Sequence, residues 1–209
     1  MTLLDFFFKG GPLMYVLLLL SIAGVALVIS KYRQLYKVNR AHKNMTNIIG
    51  KNSGVNEIHA ALGINKEECP LSAVLIKAKS LEGQDLNLIK ESTEATANLT
   101  VHNLEKGLGW ISTISAIAPL VGFLGTVTGM VRVFINIAAH SQQGIDISML
   151  ASGIWEALLT TVGGLVVGIP AIFFYNDLVE HVEDIAKFLQ AQIDEYVIKL
   201  HKSRLEAQK

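Results

Sequence analysis

The chain has 209 residues, of which 51% are hydrophobic and 17% are charged, and its mean hydropathy is +0.41. This composition is too apolar for an ordinary soluble domain and predicts a membrane protein. The 18 basic and 18 acidic residues give a formal net charge of zero, so the overall charge does not favour nucleic-acid binding. The single cysteine, Cys69, excludes an internal disulfide framework, and we interpret it as an idle buried thiol.

The first apolar run, residues 12–30, predicts a transmembrane helix. It contains no charged residue and would span roughly 28 Å as a helix. Basic residues follow the run: Lys31, Arg33, Lys37, Arg40 and Lys43. This asymmetry favours a retained helix with its C-terminal end in the cytoplasm over a cleaved signal peptide, and it makes residues 1–11 a short extracytoplasmic N-terminus.

Residues 31–109 predict a helical cytoplasmic domain. Pro70 suits the first turn of one helix, and Asp85 is a candidate N-cap of the next. We expect that second helix to continue past Gly107 into the second span. Its apolar face would consist of Leu88, Ala95, Leu99, His102 and Ile111. Residues 44–63 are the least periodic and predict a loop with a short helix.

Two longer apolar runs, residues 110–135 and 150–175, predict the second and third transmembrane helices. The connection between them, residues 136–149, contains no Lys or Arg and is assigned to the extracytoplasmic side. The tail, residues 176–209, carries several basic residues and is assigned to the cytoplasm. The sequence therefore predicts an all-α integral membrane protein with three transmembrane helices, its N-terminus outside and its C-terminus inside.

The cytoplasmic tail also predicts a helix. Apolar residues recur at steps of three or four, close to a heptad pattern: Leu178, Val182, Ile185, Leu189, Ile193, Tyr196 and Leu200. Two partners for this stripe remain open. It could pack against the helix of residues 85–107 in the same chain, or against neighbouring copies in a bundle.

Small residues and prolines mark the second and third spans. Gly125 and Gly129 form one GxxxG pair, and Gly164 and Gly168 form another, a spacing that lets membrane helices approach closely. Gly122 lies on nearly the same face as the first pair. Pro119 and Pro170 interrupt the backbone hydrogen-bond ladder and predict kinks that neighbouring helices cover.

Polar side chains within these spans are the candidate ion-pathway residues. By helical rise, Thr126 and Thr161 both lie roughly 14–17 Å below the outer ends of their spans, near mid-membrane. Glu156 lies about 9 Å below the outer end, and a carboxylate within a span predicts function. Three roles for it stay open: a proton relay, a structural link between helices, or a pore group. Arg132 could pair with Glu156 or reach the membrane surface.

Catalytic and metal-binding patterns give no competing signal within the spans. No Ser/His, paired-Asp or HExxH arrangement occurs there, so we predict neither an enzyme nor a bound metal or cofactor. His140 is interpreted as a solvated residue of the outer loop.

Long motifs in the spans resemble the MotA/TolQ/ExbB proton-channel family, and most closely its ExbB/TolQ branch. Ile117–Met130 reads IAPLVGFLGTVTGM, and Gly153–Asn176 reads GIWEALLTTVGGLVVGIPAIFFYN. The opening Gly10–Ser21, GGPLMYVLLLLS, is also similar to the first span of ExbB-type proteins. Three predicted spans rather than four argue against the flagellar-stator MotA branch.

The resemblance implies a subunit of a motor in the bacterial inner membrane. It implies a homopentamer whose second and third spans line a central pore, with a dimer of a single-span ExbD- or TolR-like partner inside. The partner would carry the titrating aspartate, and Thr126 and Thr161 would face it. Glu156 corresponds to the family's glutamate, whereas Arg132 is a charge where many relatives are neutral, which puts the outer pore electrostatics in doubt.

The function implied is use of the proton motive force, through a TonB-like protein, to energise transport across the outer membrane. Membrane lipids would surround the complex, and no nucleic acid is involved. A TolQ-like role in envelope maintenance with a TolA-like protein, or a non-conducting oligomeric scaffold, remains an alternative. The choice between proton and sodium stays open.

Overall fold

The computed structural model describes residues 10–51, 69–139 and 147–207, and these residues form helices and turns without a strand. The helices are α1 (Leu13–Lys51), α2 (Pro70–Ser80), α3 (Leu86–Glu105), α4 (Leu108–Ala139) and α5 (Ile147–Ala207). Three segments are long and apolar enough to cross a membrane: Leu13–Lys43, Leu86–Ala139 and Leu150–Glu206. The predicted all-α architecture with three candidate spans is therefore confirmed, and His140 lies outside the described residues.

The chain divides into two compact units. The first consists of Met1–Ile29 and Gly107–Asp177, and the second of Ser30–Lys106 and Leu178–Lys209. We call them the apolar unit and the polar unit and describe each by itself.

Three apolar helical segments, from α1, α4 and α5, form the apolar unit. Small residues bring them together: a Cβ on Gly24 of α1 would lie 3.6 Å from Ile114 of α4, and one on Gly163 of α5 would lie 3.2 Å from Met14 of α1. Large apolar side chains point outward, with Phe123 62% and Phe173 67% exposed. An apolar exterior around a small-residue interior is the arrangement expected of helices packed in lipid.

The polar unit has a conventional apolar core. Leu71, Val74 and Ile89 of α2 and α3 are fully buried. The tail stripe predicted from the heptad-like spacing is buried as well: Leu178, Val182, Ile185, Leu189, Ile193, Tyr196 and Leu200. Because this stripe is covered within one chain, packing against the chain's own helices is the correct alternative of the two that the sequence left open.

Local signals in the polar unit place the helix starts correctly. Pro70 opens α2, and the Asp85 side chain caps α3 by accepting a hydrogen bond from the Asn87 amide at 3.1 Å. The expectation that α3 runs on into the second span is wrong. α3 ends at Glu105, and Gly107 adopts φ +94°, which a residue with a side chain rarely adopts, before α4 begins at Leu108.

The predicted apolar face of α3 is also wrong. Leu88, Ala95, Leu99 and His102 are exposed, and of the five residues expected there only Ile111, which belongs to α4, is buried. The buried face of α3 consists instead of Ile89, Thr93, Ala97 and Leu104. Thr93 and Ala97 are small enough to let neighbouring helices approach, and Thr93 hydrogen-bonds to the Lys90 carbonyl at 2.9 Å, which satisfies its hydroxyl in the core.

Parts of two predicted connections are helical. Residues 44–51, the start of the stretch predicted as a loop with a short helix, continue α1, and no proline interrupts the helix before Lys51. Residues 136–139 extend α4 and residues 147–149 begin α5, so the connection predicted at residues 136–149 is partly helical. The remainder of both predicted loops lies outside the described residues.

Candidate functional site

Glycines hold α4 and α5 together in the apolar unit. Gly122, Gly125 and Gly129 of α4 are buried against α5. A Cβ on Gly122 would lie 2.8 Å from the Thr160 carbonyl oxygen, and one on Gly129 would lie 2.8 Å from the Ala157 Cβ. Since Cβ atoms do not approach other atoms this closely, only glycine permits the observed helix separation. We call this contact, with Gly164 and Gly168, the glycine seam.

The α5 side of the seam is equally close. A Cβ on Gly164 would lie 2.6 Å from the Ala118 carbonyl oxygen, and one on Gly168 would lie 2.6 Å from the Cγ of Pro119. Pro119 lies inside α4, where its ring fills the space that Gly168 leaves. Pro170 lies inside α5 but is exposed, about two and a half turns beyond Thr161.

Thr126 of α4 and Thr161 of α5 meet at the centre of the seam. Their two hydroxyl oxygens are within hydrogen-bonding distance of each other. Thr161 Oγ1 also lies 3.1 Å from the Gly122 carbonyl oxygen, and Thr126 Oγ1 lies 3.2 Å from the Ala157 carbonyl oxygen. The structure thus brings the two threonines together at one level, as their equal depth predicts, and gives each an acceptor on the opposite helix.

This cluster permits two hydrogen-bond patterns. Each hydroxyl has a single proton to donate and lone pairs to accept with. In one pattern Thr126 donates to Thr161, which donates to the Gly122 carbonyl. In the other, Thr161 donates to Thr126, which donates to the Ala157 carbonyl. Both hydroxyls are only partly buried, so a third polar group can join the pair without breaking the helix contact.

Glu156 and Arg132 form a second polar cluster. Arg132 Nη1 donates a hydrogen bond to Glu156 Oε1 at 3.2 Å across α4 and α5. Of the two alternatives that the sequence left open for Arg132, the structure places it in the pair. The Glu156 carboxylate also lies against Gly11, whose φ is +70° and where a Cβ would collide with Oε1.

The ion pair and the threonine pair lie at different levels. Glu156 precedes Thr161 by five residues on α5, which corresponds to about 7.5 Å along the helix axis. Glu156 therefore sits toward the N-terminal end of α5, with Arg132 toward the C-terminal end of α4. The charged side chains and the threonine hydroxyls therefore lie at two different heights along the same pair of helices.

Sequence reasoning missed four participants. The Ala157 and Gly122 carbonyls are the acceptors for the threonines, and a backbone oxygen leaves no signal in the sequence. Thr160 is 2% exposed, faces Gly125 and donates to the Ala157 carbonyl at 2.7 Å, so it is a packing residue. Gly11 beside Glu156 could only have been suspected from the turn that precedes α1.

Perturbed titratable groups occur in the polar unit. Burial lowers the pKa of Lys31, and it lowers the pKa of His42 to about 4. Burial raises the pKa of the Cys69 thiol, which agrees with its interpretation as a buried, idle cysteine. In the part of the chain that the structure describes, no group of three or more His, Cys, Asp or Glu side chains could hold a metal ion.

The fold and this site define a membrane protein in which two apolar helices pack along glycines around a threonine pair. The sequence pattern described as the MotA/TolQ/ExbB proton channel family matches residues 65–191. The chain belongs to this family.

Relatives carry the names of two branches. A protein of Methanothermobacter thermautotrophicus, whose name describes it as an ExbB homologue, is 27% identical over 88% of this chain and 65% of its own length. The biopolymer transport protein ExbB of Salmonella typhimurium is 48% identical over 34% of this chain and 28% of its own length. The Tol-Pal system protein TolQ of Haemophilus influenzae is 24% identical over 97% of this chain and 95% of its own length. This chain thus spans less than two thirds of the first two relatives.

Proposed function

We propose that this chain is an ExbB-type subunit of a proton-driven motor in the bacterial inner membrane. It works with an ExbD-like single-span partner and energises TonB-dependent transport across the outer membrane. The observation that carries the proposal is the Thr126–Thr161 hydroxyl pair, held at the glycine seam with acceptors on both helices. The chain's role is transport rather than enzymatic chemistry.

The hydroxyl pair suits a carboxylic acid that changes protonation state. A protonated acid has an O–H group to donate, whereas an ionised one can only accept hydrogen bonds. In either hydrogen-bond pattern the pair retains a lone pair for the first form, and turning a hydroxyl away from its carbonyl offers a donor to the second. Thr126 and Thr161 can therefore bind the partner's acid both before and after proton transfer.

Glu156 acts as an entrance group in this proposal. Its ion pair with Arg132 lies on the extracytoplasmic side of the threonine pair. There the carboxylate alters the electrostatic potential that an entering proton meets. With residues 12–30, 110–135 and 150–175 as spans, the N-terminus lies outside and the C-terminus inside. A homopentamer then places α4 and α5 around a central pore that holds the partner dimer.

Proton flux into vesicles tests the threonine role. The chain and its single-span partner are reconstituted together, a potassium gradient with valinomycin drives uptake, and a trapped pH dye reports it. Thr161→Val should lower the flux about five- to tenfold, since a lost hydrogen bond of about 1–1.4 kcal/mol corresponds to that factor. Thr161→Ser, which keeps the hydroxyl, should retain most of the flux.

Two further outcomes separate the alternatives. Wild-type flux in Thr126→Val and Thr161→Val together would remove the hydroxyl pair from the pathway. If those variants also retain function in cells while Gly164→Leu abolishes it, the non-conducting scaffold is the better account.

A TolQ-type role is the second candidate, favoured by the alignment with TolQ of Haemophilus influenzae along nearly the full length of both chains. Complementation distinguishes the two branches. The chain and its partner are expressed in one host lacking its ExbB-type subunit and in another lacking its TolQ-type subunit. Rescue of outer-membrane uptake supports the first proposal, and rescue of detergent resistance alone supports the second.

A further inference from the structure

One face of α3 carries exposed apolar side chains. Leu88 is 45% exposed and Leu99 is 67% exposed, and Ala95 and His102 are exposed between and beyond them. At 100° per residue these four lie on the side of α3 opposite its buried face. Lys106, directly after α3, continues the same line. We call these five residues the α3 outer stripe.

The polar-unit part of α5 has a similar face. Exposed residues recur at intervals of seven on the side opposite its buried stripe: Asp184, Ala191, Ile198 and Leu205. Ile198 is 67% exposed and Leu205 is 50% exposed. Glu180 lies on the same side, one turn before Asp184. We call these five residues the α5 outer stripe.

Contacts within the chain fix the register between the two helices, which run antiparallel. Lys90 Nζ lies 2.9 Å from Asp194 Oδ1, and Gln190 donates to Glu94 at 2.9 Å. At the far end Arg204 donates to the Gln84 carbonyl at 2.8 Å. In these contacts the two residue numbers add up to 284–288, so residues of α3 and α5 whose numbers add up to about 286 lie at nearly the same level.

With this register four positions of each outer stripe match at the same level to within about one residue, and Leu99 and Leu205 lie outside these pairs. Leu88 lies level with Ile198, and Ala95 lies level with Ala191. His102 lies level with Asp184, and Lys106 lies level with Glu180. One large apolar residue thus matches another, alanine matches alanine, the histidine matches an aspartate, and the lysine matches a glutamate.

We infer that the α3 outer stripe binds the α5 outer stripe of a second copy of this chain, at the levels just given. The two stripes face away from each other within one chain, so they cannot meet in the same molecule. A rotation about an axis along these helices keeps every residue at its level, so copies in one ring bring the matched positions together. The inference rests on the oligomer of the proposed function and adds the surface that forms it.

The contact is heterologous, because each stripe complements the other and not itself. Heterologous contacts repeat head to tail and close into a ring when the rotation allows it. Like charges do not oppose each other within the stripes. Glu91 and Glu195 share a level, but at 100° per residue they lie on opposite flanks of the contact.

Paired cysteines test the contact in the full-length protein. In a Cys69→Ala background, Leu88→Cys combined with Ile198→Cys should form interchain disulfides on oxidation in membranes, giving a ladder of covalent oligomers. The matched control combines Leu88→Cys with Asp184→Cys, whose levels differ by roughly 20 Å, and should stay monomeric. A ladder in the control and not in the matched pair would overturn the register. Dimers from Leu88→Cys alone would overturn the head-to-tail arrangement.

Charge exchange gives an independent reading. Lys106→Glu should reduce the cross-linked fraction several-fold, as should Glu180→Lys, and the double variant should restore it. Failure of the double variant to recover would contradict the pairing. These outcomes are separable from the proposed function. A disulfide ladder without proton flux would contradict only the proposed motor function, and proton flux without a ladder would contradict only the proposed contact.

Discussion

The hydroxyl oxygen of Thr161 lies 3.1 Å from the carbonyl oxygen of Gly122, and this contact crosses from α5 to α4. Gly122 can accept it because the residue has no side chain: a Cβ there would lie 2.8 Å from the Thr160 carbonyl oxygen. The glycine that sets the helix separation therefore also supplies the acceptor for the threonine. Packing and the hydroxyl pair depend on the same residue.

The glycine seam predicts opposite effects at two glycines. Gly164→Ala should destabilise the protein by about 1–3 kcal/mol, because the new methyl group meets the Ala118 carbonyl and the Gly122 backbone, which cannot turn aside. Gly109→Ala on α4 meets nothing within 4 Å and should be neutral or stabilising by about 0.5–1 kcal/mol. Thermal unfolding in detergent measures both. Equal effects would mean that the seam is not close-packed.

The ion pair of Arg132 and Glu156 predicts non-additive stabilities. Arg132→Ala leaves the Glu156 carboxylate without its partner in an apolar unit. This single variant should therefore destabilise the protein more than the double variant that combines Arg132→Ala with Glu156→Gln. We expect a coupling free energy of about 1 kcal/mol from unfolding measurements on the four-member cycle. Additive single effects would show that the pair contributes nothing to stability.

Lys31 predicts a capping effect at the C-terminal end of α3. Its ammonium group donates to the Leu104 carbonyl at 3.1 Å and to Gln34 Oε1 at 2.9 Å, which satisfies one of the last carbonyls of that helix. Lys31→Met should destabilise the polar unit by about 1 kcal/mol and speed hydrogen exchange in the last turn of α3. Lys37→Met, at an exposed position on the same helix, is the control. Unchanged exchange in Lys31→Met would exclude the cap.

His42 predicts a loss of stability in acid. Its ring lies 5.0 Å from that of Phe188, and burial lowers its pKa from 6.5 to about 4. Between these two pH values the unfolded chain binds a proton that the folded chain resists, so stability falls as the pH falls through that window. The Tm difference between pH 7.5 and pH 5 should shrink in His42→Phe and stay unchanged in His201→Gln, an exposed histidine. If His42→Phe shows the same Tm difference as the wild type, the loss of stability in acid must come from other titratable groups.

Periodicity along single helices was enough to predict much of this protein. The three apolar runs have the length of spans, and the tail residues from Leu178 to Leu200 share one buried face. The equal distance of Thr126 and Thr161 from the ends of their spans was enough to predict that they lie at one level. Asp85 and Pro70 mark helix starts through local chemistry. Each of these features follows from residue spacing or from a contact within one turn.

Tertiary structure decided the rest. The face that α3 buries, Ile89 and Thr93 rather than Leu88 and Leu99, depends on which helices surround it, and hydrophobicity alone does not specify that. The acceptors of the threonine hydroxyls are backbone oxygens, which every residue possesses. The break at Gly107 required a positive φ that glycine permits but does not impose. Residue spacing alone therefore determined which residues of one helix share a face, but not which face is buried. Only packing in three dimensions determined what each face meets, because that depends on the separation and register of other helices.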